Sequence, residues 1–423
     1  MLIESMSMNG EFVVSTGKRL TTAQAAGRLR VKTATLYAYV SRGLLASERS
    51  ESGGSTFDPL DVEVFAASRR HKHSTSGASV GRPLMVMDSE VTLLQDDELY
   101  YRGVSALHLA KHRQFEDVVE ALWNTSPEHE DTVCRFVSRP NVIKAIQKAS
   151  PRLGEASGFM DRLKLAVLLS GSQDPDRALM GEATVRDAGR QILATMVDSL
   201  PPVQPLPPRT ASLATRLWCT VSSSEPSASN LNLLNATMVL CLDHDLAIST
   251  MAARMAASAR ADPYSAVGAA LNTLDGTMHG AASAAAFEML SDTMASGRAE
   301  AAISAQIAKS RTIPGFGHVV YHKADPRAQY LFQLLRELPE YRDAVTAADR
   351  ISAVVQYRTP RPINIDLALA VLAIGAGMRA DAGELIVAVS RTAGWIAHIL
   401  EEYAQPSMRL RPESRYTGIP PSR

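Results

Sequence analysis

From residue 105 onward this chain spaces its apolar residues at the helical period, with few strand-like alternations. That single feature restricts the fold more than any other. The stretch "VSALHLAKHRQFEDVVEALWN" (104–124) reads as one amphipathic helix. "SNLNLLNATMVLCLDHDLAISTMAARMAASARADPYSAVGAALNTLDG" (229–276) reads as a longer helical run, broken near His244 and again at Asp262-Pro263. Aromatic residues make up only 5% of the 423, and Ala, Leu, Met and Val dominate, a composition that favours helix. The pattern predicts a large all-α body. "LPPVQPLPPR" (200–209) reads as a surface loop within it, because helical patterning resumes on both sides.

Several function classes drop out. No GxGxxG and no GxxxxGK[ST] loop occurs, which argues against dinucleotide and P-loop folds. No GxSxG elbow is present, which argues against a serine hydrolase. His318 and His322 stand four apart, but no Glu lies between them and glycines precede His318, so a helical zinc site is not expected. Cys134, Cys219 and Cys241 have no metal-ligand spacing, and their odd number suits a reducing compartment. The longest apolar run, 367–378, is too short to span a bilayer, and the first residues lack a basic-then-apolar signal pattern. The expectation is a soluble cytoplasmic protein with no membrane association.

Net charge is zero, yet residues 18–73 hold ten Lys and Arg against five Asp and Glu. Thr21 or Thr22 can cap a helix through Leu29, and Thr33 a second through about Arg42, with Gly43 ending it. "SESGGSTF" then reads as a hairpin, and Asp58-Pro59 opens a third helix. With Thr35-Leu36-Tyr37, "RGLL" and "FDPLDVEVF", this segment resembles the MerR-type winged helix-turn-helix. The resemblance implies DNA contact through the second helix, with Arg30, Lys32, Arg69, Arg70 and Lys72 supplying the electrostatic part. Residues 74–89 are small, polar and Gly/Pro-bearing, as a linker is. The domain reading is 18–73, then a linker 74–89, then 90–423.

Four polar stretches interrupt the helical body. "LDHDLAIST" places His244 between two aspartates, where it can bond a neighbouring carboxylate or a ligand oxygen. "LDGTMHGAAS" brackets His279 with Gly276 and Gly280. "IPGFGHVVYHKADPRA" carries His318 after two glycines that permit unusual backbone angles. It then sets Arg327 in the first turn of a helix opened by Asp325-Pro326, where the helix dipole gives a cation nothing; an anionic ligand is one candidate for what holds it. "PINIDLALAVL" puts Asp366 ahead of an apolar helix, where by itself it reads as an N-cap.

Taken in order, "ELYYRGVSALHLAKHRQFEDVVEALWN", "LDHDLAISTMAARMAASARADPYSAVGAALNTLDGTMHG", "GFGHVVYHKADPRA", "NIDLALAVL", "SRTAGWIAHILEE" and "RLRPESRYTG" resemble the citrate synthase family over roughly residues 90–420. The resemblance implies a large helical domain with a small helical lid lobe. It implies condensation of acetyl-CoA or propionyl-CoA with oxaloacetate, with no cofactor and no metal. In that family's pattern, His244 and His318 hold oxaloacetate and His318 donates to the ketone oxygen. Asp366 removes the methyl proton, and His279 bonds the thioester oxygen. Arg327 and Arg391 clamp carboxylates, and Arg411 does so from a neighbouring subunit, which implies a homodimer. The chain departs from the family in carrying Ala247 where Asn is usual, Ala281 and Ser283 where Gly and Asn are common, and Val319 after His318. A rival reading makes the chain a DNA-binding regulator whose body senses a ligand. A third confines residues 18–73 to assembly.

Overall fold

The computed structural model describes residues 19–50, 53–73, 86–124, 135–154, 158–276, 282–310, 312–321, 323–410 and 415–418. The chain divides into two compact units. One comprises Met1–Arg82, Met289–Ile313 and Asp349–Pro360; the other comprises Pro83–Glu288, Pro314–Ala348 and Arg361–Arg423.

Residues 19–73 run β1 (Leu20–Thr21), α1 (Thr22–Leu29), α2 (Thr33–Ser41), β2 (Glu48–Arg49), β3 (Ser55–Phe57) and α3 (Pro59–His73). Thr21 and Gln24 form a reciprocal capping box at the start of α1. Thr33 is not the cap of α2. Helical bonding already begins at the Lys32 carbonyl, which accepts from Leu36 N at 3.1 Å, so Lys32 stands at the cap with no side-chain bond. The three strands are antiparallel in the order β1-β3-β2, with Leu20 opposite Phe57. Leu20, Ala25, Ala26, Leu29, Leu36, Leu45, Phe57 and Val62 make a small core.

The body opens with a three-stranded antiparallel sheet, β4 (Thr92–Gln95), β5 (Glu98–Tyr101) and β6 (Val104–Ser105), a local exception to the all-helical expectation. Asp96 and Asp97, both at positive φ, make the tight turn between β4 and β5. Helices α4 (Ala106–His112) and α5 (Phe115–Trp123) come next. The sequence pattern read these as one helix. The chain breaks at Arg113-Gln114, where the Asn235 side chain accepts from Phe115 N at 2.9 Å and donates to the Arg113 carbonyl at 2.9 Å. Beyond them lie α6 (Pro140–Ala149), α7 (Phe159–Ser172), α8 (Glu182–Asp198) and α9 (Leu213–Val221), with the proline-rich 200–209 forming the expected loop between the last two.

Helices α10 (Ala228–Cys241), α11 (Ile248–Ser258) and α12 (Pro263–Leu274) break where the sequence indicated, at His244 and at Asp262-Pro263. They are followed by α13 (Ala282–Ser296), α14 (Ala299–Ser310), α15 (Pro326–Glu337), α16 (Arg342–Arg358), α17 (Ile365–Gly375) and α18 (Ala382–Tyr403). Asp262 and Asp325 cap α12 and α15, each followed by Pro at the first helical position. Helix α18 is buried along most of its length, and α5, α8, α10, α11 and α12 pack against it. Trp123, Trp218 and Trp395 are fully buried, and Trp123 donates to the Ala393 carbonyl at 2.8 Å. No helix among the described residues is long and apolar enough to cross a membrane.

A core as small as that of residues 19–73 leaves little margin alone. In its unit, α3 packs on α14, and Arg28 of α1 donates to the Ala308 carbonyl in the last turn of α14 at 3.1 Å. Arg358, the final residue of α16, pairs with Asp58 at 3.0 Å.

Candidate active site

Two glycines shape the loop that carries His318. Gly315 and Gly317 both sit at φ +82, which residues with a side chain rarely adopt, and a Cβ on Gly315 would lie 2.8 Å from Leu367 Cβ. The loop pairs with the segment entering α17: Gly317 N donates to the Pro362 carbonyl at 2.8 Å and Asn364 N to the Gly315 carbonyl at 3.0 Å. Val320 N donates to His318 Nδ1 at 3.0 Å. An Nδ1 that accepts leaves the proton of the neutral ring on Nε2, the nitrogen that can polarise a ligand oxygen.

Asp366 is the second residue of α17 and not its cap. Asn364 takes that place, accepting from Asp366 N at 3.0 Å while its amide donates to the Gly317 carbonyl at 2.9 Å. The bland reading of Asp366 as an N-cap is therefore corrected: a neighbour meets the helix's first N–H groups, and the Asp366 carboxyl is spared for other work. Burial pushes its pKa up to about 6, against the charge of Arg327.

Arg327 finds an anion within its own chain. The Asp325 carboxylate accepts from Arg327 Nε and Nη2, both at 2.9 Å, and from Arg327 N at 3.1 Å. Asp325 also accepts from Ile365 N at 3.0 Å, so one buried carboxylate joins the starts of α15 and α17. Burial works to raise Asp325, but the charge and hydrogen bonds of Arg327, with His318 adding, outweigh it and hold the carboxyl low. Arg327 is 3% exposed and lies over the Tyr321 ring, 5.3 Å from its centroid.

His244 bonds Tyr321 Oη at 3.0 Å and sets its ring edge-on to His318, with centroids 4.9 Å apart. Burial, then the charges of Arg327 and Arg391, drive its pKa well below the ordinary value, which keeps the ring neutral. The neighbouring Asp243 turns away from it. Asp243 accepts from Thr92 at 2.5 Å and meets His398 Nε2 at 3.3 Å, and His398 Nδ1 lies 3.0 Å from the buried Arg254, whose guanidinium pairs with Glu402 at 3.1 Å. This buried chain anchors the backbone from which His244 projects. Arg391 on α18 donates to the Cys241 carbonyl at 3.1 Å, fixing the end of the helix that precedes His244.

His244, His318, Arg327, Arg391 and Asp366 thus belong to one electrostatic neighbourhood. His279 and Arg411 lie outside the described residues, as does His322. Arg30 and Lys32 are exposed on residues 19–73, while Arg69, Arg70 and Lys72 fall on α3 with side chains outside those described. Sequence reasoning missed Tyr321, Asp325 as an ion partner, and Asn364. Each stood inside a motif already singled out, but only long-range pairing gives it a role.

The site joins two facing histidines, of which His244 is kept neutral, with buried guanidinium groups and a carboxyl raised to about 6. Residues 81–413 match the family described as "Citrate synthase, C-terminal domain". The chain is 30% identical to citrate synthase 2 of Bacillus subtilis over 346 residues, covering 78% of this chain and 93% of that one. It is 26% identical to 2-methylcitrate synthase 2 of Corynebacterium glutamicum, covering 77% and 90%. The Thermotoga maritima citrate synthase structure shares the fold, with a TM-score of 0.64 at 23% identity over 80% of this chain and 95% of that one. So does the Thermoplasma acidophilum citrate synthase in ternary complex with carboxymethyl coenzyme A and oxaloacetate, with a TM-score of 0.65 at 22% identity over 80% and 96%. The chain belongs to the citrate synthase family, and it is a citrate synthase-type enzyme.

Proposed function

We propose that this enzyme condenses acetyl-CoA or propionyl-CoA with oxaloacetate, giving citrate or 2-methylcitrate and free CoA. The observation that carries the reading is the tie between loop and helix. Asn364 and Asp325 together hold the segments bearing His318, Arg327 and Asp366 in one place. Asp366, at about 6, is ionised at neutral pH yet basic enough to take the methyl proton. Charge then develops on the thioester oxygen, and His279 is the donor assigned to it. The new carbanion carbon attacks the ketone carbon of oxaloacetate, the carbonyl π bond breaks to leave an alkoxide, and His318 Nε2–H donates a hydrogen bond to that oxygen while it takes a proton from solvent. Water cleaves the thioester to release CoA. Arg327 and Arg391 take the carboxylates beside His244, and Arg411 does so from a second copy in a homodimer. No cofactor enters these steps, and the setting we propose is the cytoplasm.

The test is release of free CoA by the purified protein with oxaloacetate and each thioester, beside Asp366→Ala. Turnover lost in the variant is expected; turnover retained, or absent from the wild type with both thioesters, refutes the reading. Mixing inactive His318→Ala and Arg411→Ala chains should regenerate some activity if sites are shared between copies.

We further propose that residues 18–73 contact duplex DNA as a winged helix-turn-helix. The observation favouring this is a two-helix unit with a three-residue turn, an antiparallel hairpin behind it, and an uncharged α2 preceded by exposed Arg30 and Lys32 in that turn. Gel retardation that weakens steeply with salt and is lost in Arg30→Ala/Lys32→Ala is the expected result. No retardation at low salt refutes it.

A further inference from the structure

We infer that a pocket between α4, α10 and α15 is a second binding site, one that takes a phosphate monoester whose organic part carries hydroxyl groups. All three helices belong to the unit of Pro83–Glu288, Pro314–Ala348 and Arg361–Arg423. None of the pocket's residues has a part in the condensation proposed above.

The pocket forms where the chain turns from α4 into α5. Helix α4 ends at His112, and the Asn235 side chain clamps the turn that follows to α10, accepting from Phe115 N and donating to the Arg113 carbonyl, each at 2.9 Å. That clamp fixes the backbone of three successive basic residues, Lys111, His112 and Arg113, which line a cavity of about 380 Å³. Asn232 lines it from α10, and Tyr330 and Glu337 line it from α15. Lys111 Nζ lies 5.1 Å from the centroid of the Tyr330 ring, so the ammonium leans across toward α15. His112 packs its ring on His108, with centroids 4.7 Å apart.

Among the described residues neither Lys111 nor Arg113 forms an ion pair, and the Asn232 side chain makes no hydrogen bond. Cations in the last turn of α4 favour that helix through its dipole, which accounts locally for Lys111 and His112. It accounts neither for the cavity nor for a further cation at Arg113 beside it. Ser229 brings the first turn of α10 to the same cavity, and the positive end of that helix adds to the field. Such a field selects an anion, and an arginine fork beside a lysine point charge suits phosphate. The volume is in the range that takes small organic molecules, so the ligand is more than a bare phosphate. Glu337 is the acid among the described lining residues, and it restricts what the rest of the ligand is. A further carboxylate there would be repelled, whereas hydroxyl groups can donate to Glu337 and to the Asn232 carbonyl oxygen. Sugar phosphates and nucleoside monophosphates share that chemistry, and polycarboxylates lack it.

The test is titration calorimetry on the full-length protein with ribose 5-phosphate, adenosine monophosphate and citrate. Wild type is compared with Lys111→Gln/Arg113→Gln and with Asn232→Leu. At least one of the two esters should bind wild type at millimolar concentration or below, and should weaken roughly tenfold or more in the double variant. Asn232→Leu should weaken the same ester about fivefold. Binding of ribose 5-phosphate would support the site and show that a sugar phosphate suffices; binding of adenosine monophosphate alone would support it with a nucleotide as the ligand. An ester affinity unchanged in the double variant places binding elsewhere and overturns the inference, as does a wild type that binds neither ester at millimolar concentration. Citrate bound by wild type and lost in the double variant, with no ester bound, would overturn the assignment to phosphate. The replaced side chains are exposed, so all variants should melt with wild type in the absence of ligand. If the double variant does not fold, Asn232→Leu carries the same test.

Discussion

Replacing Asp366 by Asn should make the protein more stable and less active, and the pH dependence of the gain can be worked out in advance. The carboxyl has an ordinary pKa of 3.8 and is pushed up to about 6 by burial. Below pH 3.8 the group is protonated in both folded and unfolded chains and costs nothing. Between 3.8 and 6 the unfolded chain ionises while the folded one holds its proton, so stability falls as pH rises. Above 6 both are ionised and the full cost is present. At about 1.4 kcal/mol per pH unit it amounts to roughly 3 kcal/mol. Asn has no charge to bury, so the difference in melting temperature between Asp366→Asn and wild type should be near zero at pH 4. It should climb to a plateau by about pH 6.5. CoA release by the variant should fall by roughly 10²–10⁴-fold, the usual worth of a general base. In the wild type, kcat/KM should drop about tenfold per pH unit below 6. A variant no more stable than wild type at pH 7, or a stability gain flat with pH, would refute the claim that burial of this carboxyl sets its basicity.

The same geometry leads to three further outcomes. Asp325→Asn should cost about 3–5 kcal/mol in a denaturant titration, because it leaves the buried Arg327 guanidinium without its counter-charge. Tyr321→Phe removes the 3.0 Å bond to His244 and should raise KM for oxaloacetate roughly fivefold with kcat little changed, a loss of about 1 kcal/mol. Ala247 occupies the N-cap of α11 with no side-chain bond, so Ala247→Asn should stabilise the protein by about 1 kcal/mol in the same titration; an unchanged midpoint would mean that the cap is already satisfied another way.

The sequence by itself determined the helical class and many of the breaks. Apolar period and capping are local properties, readable over a few residues: Asp262-Pro263 and Asp325-Pro326 start helices because of their own backbone chemistry. Gly315 and Gly317 announced a strained loop for the same reason. Motif order pointed to the family, and the match over residues 81–413 bears it out. What tertiary structure decided were the partners. Arg327 in a first turn implied an anion, but only folding showed that Asp325 already supplies one. The apolar continuity of 104–124 concealed a break that a side chain 120 residues away imposes at Phe115. His244, flanked by two aspartates, pairs instead with Tyr321, while Asp243 goes to His398. Asp366 looked like a cap and proved to be a partly buried acid of raised pKa, because Asn364 caps in its place and desolvation disfavours its charged form. Local preferences settle where a helix begins. The charge state and hydrogen-bond partner of a polar side chain depend on what the rest of the chain brings beside it and on how much water it removes.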